Sequence, residues 1–322
     1  MIITKTPFRV SLFGGSTDYP SFYEEEGSVL IGFCIDKYCY ISLRKTPSIF
    51  PYLSHISYAK AERVENNSDI EHNGVRGVTD YLGITHGIEL SHVSDLPAQT
   101  GIGSSSSFVV GLLKAFYTLQ NKSVSRRELA LQAIYIERHL LGEPGGVQDQ
   151  IWAAYGGFNS IEIDKDGSFA VKPMPVSDLF KKELLERSVL LYTGKTRQSF
   201  KIAASHDNKL SKKIKKAIMK TTKSAYNSFV TEDIDSIGRL LHEGWERKKE
   251  ISSSISNSII DGLYENGLKH GGLGGKLLGT GGSGFLFFIL DKGMDKNLFV
   301  KRMELDQIEF DFDNSGTTVI NK

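Results

Sequence analysis

The densest chemistry in the chain lies in the stretch Leu96–Leu119, where L-P-A-Q-T-G-I-G-S-S-S-S passes two glycines and delivers four consecutive serines into a helical pattern. Gly101 and Gly103 let the backbone approach an anion and take positive φ, and the N–H groups that open a helix lack intrahelical partners. Serine hydroxyls add donors, and one that faces the anion can also ligate a cation bridging phosphates. A helix needs one serine cap, so four in a row favour a phosphate cradle over an ordinary N-terminus.

Two carboxylates follow. Glu137 falls in the same helical stripe as Ala130, Ile134 and Leu141. Desolvating a lone carboxylate is costly, so it requires either an arginine or lysine partner or a metal ion. Asp149 sits in the first turn of a helix behind Gly142-Glu143-Pro144-Gly145-Gly146. An acid there complements the helix dipole, and the glycine-rich loop would also let a ligand reach its carboxylate. Arg9 and Asp18 flank a sharp turn at Gly14-Gly15; alone, such a pair suits a surface arginine and a turn aspartate. In Tyr192-Thr193-Gly194-Lys195-Thr196-Arg197, Lys195 and Arg197 suit an anionic substrate group or a solvated turn.

The elements that must position these groups are legible from periodicity. A strand interrupted by Pro7 is expected over 1–13, and 28–43 suggests two strands split at Asp36-Lys37. A helix over 69–84 and a strand over 87–93 lead into the serine loop, whose helix turns Val109, Leu112, Phe116 and Leu119 to a core. Ser125 and Glu128 form a capping-box pattern for a helix to about Leu141. Strands are expected at 157–163, 168–172 and 187–193, with a lobe boundary near 173–176. Mainly helical chain follows over 198–268, its lysines at 212, 213, 215, 216, 220 and 223 on a solvated face. The glycine-dense run 271–284 precedes a strand, F-L-F-F-I-L; a helix near 294–305 and closing strands near 308–312 and 317–320 finish the chain. Gly279, Gly281 and Gly284 match a dinucleotide GxGxxG spacing, but that fingerprint needs its glycines between strand and helix, and no Walker A pattern occurs.

With 322 residues, 40% hydrophobic and 24% charged, the chain has the makeup of a globular protein of two domains or lobes. A net charge of +1 gives no global reason to bind nucleic acid or an anionic membrane. Cys34 and Cys39 form no zinc or CxxC spacing, the opening residues build no apolar signal core, and no run approaches a membrane span, so a cytoplasmic location is expected.

Taken in order, P-F-R-V-S-L-F-G-G-S-T-D-Y, P-A-Q-T-G-I-G-S-S-S-S and G-G-K-L-L-G-T-G-G-S-G-F resemble the three signature motifs of the GHMP small-molecule kinases. With E-R-H-L-L-G-E-P-G-G-V-Q-D-Q the resemblance spans nearly the whole chain. It implies an α+β fold: an N-terminal lobe of S5-like twisted sheet and helices over 1–175, a C-terminal ferredoxin-like lobe over 176–322, and an active site between them. It also implies that Gly101, Ile102, Gly103, Ser104, Ser105 and Ser106 hold the phosphates of ATP, with Ser105 (or Ser104) and Glu137 on Mg²⁺. Asp149 would be the catalytic acid–base group assisted by Arg9. Asp18, Gly15 and Ser16 would face the sugar, and Gly281 and Gly282 would brace the substrate from the other lobe. Galactokinases carry Glu-His where this chain has Gly15-Ser16, which argues against galactose. G-G-S-T-D-Y-P and Y-T-G-K-T-R look instead like the branch of heptose 7-phosphate kinases, with fucokinases as relatives. That branch phosphorylates an anomeric hydroxyl and supplies activated heptoses for bacterial surface glycans. A sugar phosphate would give Lys195 and Arg197 an anion to bind. The partners implied are ATP and that small molecule, with no nucleic acid or membrane, for a monomer or homodimer.

Overall fold

The computed structural model describes residues 1–194 and 209–322. Its spine is the antiparallel pair β1 (Ile2–Phe13) and β2 (Ser28–Lys45), separated by α1 (Pro20–Glu26). The split expected at Asp36-Lys37 does not occur. Pro7 pairs with Tyr38 and Phe8 with Ile35, so Asp36 and Lys37 bulge out of one continuous strand. The bulge also lies where Pro7 has no N–H to give, which lets β1 run through its proline. On its other edge β2 pairs different strands before and after this bulge, which is why its sequence divides into halves.

Next come β3 (Ser54–Ser57), β4 (Ala61–Val64), α2 (Asn73–Leu82) and β5 (Ile88–Ser94). The helices α3 (Ser104–Leu119), α4 (Arg126–Tyr135) and α5 (Gln148–Tyr155) and the strands β6 (Phe158–Ile163) and β7 (Phe169–Pro173) also belong to this lobe. α3 buries Val109, Leu112 and Phe116 as the stripe predicts, and Leu119 is half-buried. At Gly111 it lies so close to β1 that a Cβ would stand 2.6 Å from Thr6 Oγ1.

The second lobe contains α6 (Asp178–Glu186), a helix with no counterpart in the sequence reading, then β8 (Ser188–Tyr192) and α7 (Lys209–Val230). α8 (Ile234–Lys249), α9 (Ser258–Lys269), β9 (Gly272–Leu277), β10 (Phe285–Leu290), α10 (Lys296–Met303) and β11 (Asp306–Gln307) follow. The sheet order β11-β8-β10-β9 is antiparallel throughout, and helices fill both crossovers of a β-α-β-β-α-β chain. β9 lies inside the glycine-dense run. Its glycines admit close neighbours: a Cβ on Gly274 would meet Gly238 O of α8 at 2.0 Å. On α7, Lys213, Lys216, Lys220 and Lys223 are exposed as expected, whereas Lys215 is buried with its ammonium 5.5 Å from the Tyr19 ring.

The chain then returns. β12 (Phe312–Asp313) pairs with β2, and β13 (Thr318–Asn321) with β1, so the first sheet takes its last strands from the end of the sequence. Among the described residues that sheet has nine strands, and no helix is long and apolar enough to cross a membrane.

Candidate active site

The serine loop is pinned to β1. Arg9 N donates to Ile102 O at 3.1 Å, and the Ile102 side chain is fully buried. Gly103 caps α3 in the left-handed conformation at φ 78°, which turns the opening amides toward a cavity of about 480 Å³ between the lobes. Ser104 accepts from Gln99 N at 3.4 Å, and Ser105 is exposed on the cavity wall.

Arg9 and Asp149 meet across this loop. Nε and Nη2 of Arg9 donate to Oδ1 and Oδ2 of Asp149, each at 2.8 Å, and Nη1 donates to Gly101 O. The arginine side chain is 6% exposed and the aspartate 27%, so a held guanidinium presents a carboxylate that the cavity can reach. A Cβ on Gly103 would stand 3.5 Å from Asp149 Oδ2, which locates the acid directly beside the cradle.

Asp18 ties the first turn to the same helix. Its Oδ1 accepts from Ser16 N at 3.1 Å, its Oδ2 from Gln148 N at 3.3 Å, and its backbone O from Val147 N at 3.1 Å. Gly146 is obligatory, since a Cβ there would stand 1.9 Å from Asp18 Oδ2. Burial, with the charge of Asp149, pushes the Asp18 carboxyl up. The surface-arginine and turn-aspartate alternative therefore fails: both side chains are buried, and both are tied to α5. Gly15 and Ser16 line the same cavity.

Beyond Tyr135, α4 winds into a π-helical turn over Ile136–Leu140, which carries Glu137 inward. Glu137 Oε2 accepts from Ser106 Oγ at 2.8 Å and from Gln150 Nε2, while Oε1 is buried with no partner. Burial, with Glu143 nearby, pushes the carboxyl up to about 8 despite those two contacts. No lysine or arginine among the described residues pairs with it, so the salt-bridge alternative fails as well. The hydroxyl on Glu137 belongs to Ser106 rather than Ser105, because successive residues of the first turn point about 100° apart.

The late glycine loop closes the cavity from the second lobe. A Cβ on Gly279 would stand 2.3 Å from Gly101 Cα, and one on Gly101 would stand 2.4 Å from Leu278 O. Gly279 and Thr280 line the cavity; Gly281 and Gly282 are turned instead against Ile255, whose carbonyl accepts from Gly282 N at 2.9 Å. Gly101→Ala is expected to force the two loops apart, with an overpacking cost of about 1–3 kcal/mol. Thermal unfolding checks this as a melting temperature lower by several degrees; an unchanged value would contradict the close approach.

Two cations on this wall are absent from the sequence reading. Lys248 of α8 and Lys276 of β9 are both buried and both face the cavity. Lys248 continues the apolar stripe Ile234, Ile237, Leu241, Trp245, the same signal that singled out Glu137, and the run E-R-K-K-E disguises it as a solvated helix end. Gln148 and Gln150, beside Asp149, were equally unmarked. Lys195 and Arg197 lie outside the described residues.

Residues 72–157 match the GHMP kinases N terminal domain and residues 224–303 the GHMP kinases C terminal domain. The chain is 30% identical to D-glycero-alpha-D-manno-heptose 7-phosphate kinase of Campylobacter jejuni, over 98% of its own length and 97% of the relative's. It is 27% identical to the bifunctional fucokinase/GDP-fucose pyrophosphorylase of Arabidopsis thaliana, over 70% of this chain and 22% of that protein. A solved D-glycero-D-manno-heptose 1-phosphate kinase from Bacteroides thetaiotaomicron superposes with TM-score 0.81 at 24% identity, covering 100% of this chain and 99% of that one. Both domain matches and a relative aligned from end to end carry one conclusion: this chain belongs to the GHMP kinase family.

Proposed function

We propose that this protein is a sugar kinase that transfers the γ-phosphoryl group of ATP to the anomeric hydroxyl of D-glycero-D-manno-heptose 7-phosphate, giving the 1,7-bisphosphate. The observation that carries the reading is the Asp149 carboxylate, clamped by Arg9 and set against Gly103 where the helix amides open. A base beside a phosphate cradle is the arrangement that in-line transfer to a hydroxyl requires. The choice of sugar is supported by the end-to-end similarity to the Campylobacter jejuni enzyme.

In this mechanism the amides from Gly101 to Ser106 take the phosphate oxygens, and α3 supplies the positive end of its dipole. Arg9 holds Asp149 in one orientation, and Asp149 accepts the proton of the attacking hydroxyl. Asp18 accepts from sugar hydroxyls beside Gly15 and Ser16. Glu137 fits a magnesium ion: among the described residues it is a buried carboxylate without a cation and with one oxygen unpartnered. Glu137 and Ser105 would hold the ion, with Ser106 fixing the carboxylate. When bound, Mg²⁺ neutralises charge on the phosphates. Lys195 and Arg197 are assigned, on sequence alone, to the 7-phosphate.

ADP release measured with heptose 7-phosphate, fucose, galactose and mevalonate tests the substrate. Turnover on the heptose alone is expected. Turnover on fucose alone would transfer the protein to the fucokinase reading, which the similarity to the plant enzyme favours second.

A further inference from the structure

We infer that Lys248 is a catalytic residue of this kinase, an ammonium that meets the γ-phosphoryl group of the nucleotide, with Lys276 behind it as a positioning residue. The inference rests on the kinase reading but not on the identity of the sugar.

Each lysine is 6% exposed. Lys248 Nζ donates to Gly279 O, and Lys276 Nζ donates to Leu12 O at 3.0 Å. An ammonium has three donors, and among the described residues each of these has one acceptor and no carboxylate partner. Burying a charge without a bonded counter-ion costs several kcal/mol, so both groups suit an anion that no carboxylate among the described residues supplies by direct contact. Their shared wall is where an anionic ligand enters.

The path of contacts indicates which part of the ligand. Lys248 is anchored on Gly279, Gly279 is stacked on Gly101, and the Gly101 carbonyl accepts from Arg9, which clamps Asp149. Arg9 and Lys248 thus reach the phosphate loop from opposite lobes, and Arg9 holds the base there. Lys276, tied to β1 through Leu12, backs Lys248 from β9. In the transfer, the sugar oxygen bonds to the γ-phosphorus as the bond to the β–γ bridging oxygen breaks. The hydroxyl proton goes to Asp149, ADP leaves with the electron pair, and Lys248 keeps its protons while its N–H groups face the equatorial oxygens. Fixed donors in a buried site are where charge developing in the transition state gains most. Burial above all, and then Arg9, lowers the Lys248 ammonium to about 8, against Asp18 and Asp149, which raise it. Lys276 faces it with its own ammonium pushed down by burial and by Lys248.

Calorimetric titration with AMP-PNP and with ADP tests this without any sugar. Lys248→Met is expected to weaken AMP-PNP binding by about 10-fold or more, the worth of a charge-assisted hydrogen bond, and to leave ADP within about twofold. Equal losses for both nucleotides would reduce Lys248 to a lobe-packing residue, and no loss for either would remove it from the site; both overturn the inference. Should Lys248→Met fail to fold, Lys248→Arg keeps the charge. AMP-PNP affinity of the parent should fall above about pH 8 and that of Lys248→Arg should not; the same alkaline fall in both would overturn it. A sugar panel that gives no turnover defeats the substrate proposal and leaves these titrations unaffected.

Discussion

The Asp149→Asn variant is expected to bind ATP as the parent does and to turn over about 10²–10⁴-fold more slowly, the range lost when a positioned base is removed. Asparagine keeps the shape of the side chain and one oxygen for Arg9 Nε. It has no basicity, so the attacking hydroxyl must lose its proton to water. Its amide also turns an N–H₂ toward Arg9 Nη2, where the parent has a charge-assisted bond of 2.8 Å. One such bond contributes about 1.5–3 kcal/mol, and the arginine keeps Gly101 O, so the variant should fold with a reduced melting temperature. Single-turnover kinetics beside calorimetry with ATP separate the two effects. Turnover near that of the parent would remove Asp149 from the chemistry, and a loss of ATP affinity equal to the loss of rate would make the pair a structural brace.

Glu137→Gln should separate activity from stability. As the proposed metal ligand, Glu137 would supply part of a charge-neutralising effect worth several kcal/mol, so its loss is expected to lower turnover by about 10²–10³-fold and to raise the magnesium concentration needed for half-maximal rate. Stability should respond differently. With the native carboxyl at about 8 and its ordinary value 4.5, the folded protein holds more protons than the unfolded chain between these limits. Stability of the metal-free protein therefore falls as pH rises through this window, by on the order of 3 kcal/mol between pH 4.5 and 7. The glutamine variant does not titrate and should lose that part of the slope. Urea unfolding in EDTA across pH 5 to 8 reads it directly. An unchanged slope together with unchanged magnesium dependence would return Glu137 to a structural role.

Both residues were legible in the sequence, Glu137 because it broke a local rule and Asp149 because of the loop before it. A carboxylate in an apolar stripe and an acid behind a Gly-Glu-Pro-Gly-Gly loop draw notice before any contact is known. Arg9 and Asp18 did not break a rule, and only motif order marked them; their burial comes from contacts more than a hundred residues apart in the chain, which periodicity cannot carry. Lys248 broke the stripe rule as plainly as Glu137 but stood among other charges, and in such company a buried lysine looks like a solvated one. Ser105 and Ser106 were resolved only by the angular offset of one residue in a helix turn. The same limit explains β2. Its composition suggested two strands where the chain forms one, because the bulge opposite Pro7 that keeps it continuous depends on a partner strand. Gly101 and Gly279 were each visible as glycines, whereas their need for one another is a tertiary fact.

We propose that the Asp149–Arg9 pair serves phosphoryl transfer to an anomeric oxygen. Phosphorus NMR of the product formed from ATP, Mg²⁺ and D-glycero-D-manno-heptose 7-phosphate tests it most directly. A second sugar-phosphate resonance, coupled to the anomeric proton and absent from the product mixture of Asp149→Asn, is the predicted result. ADP appearing with inorganic phosphate alone, or a new phosphate on any other carbon, would contradict it.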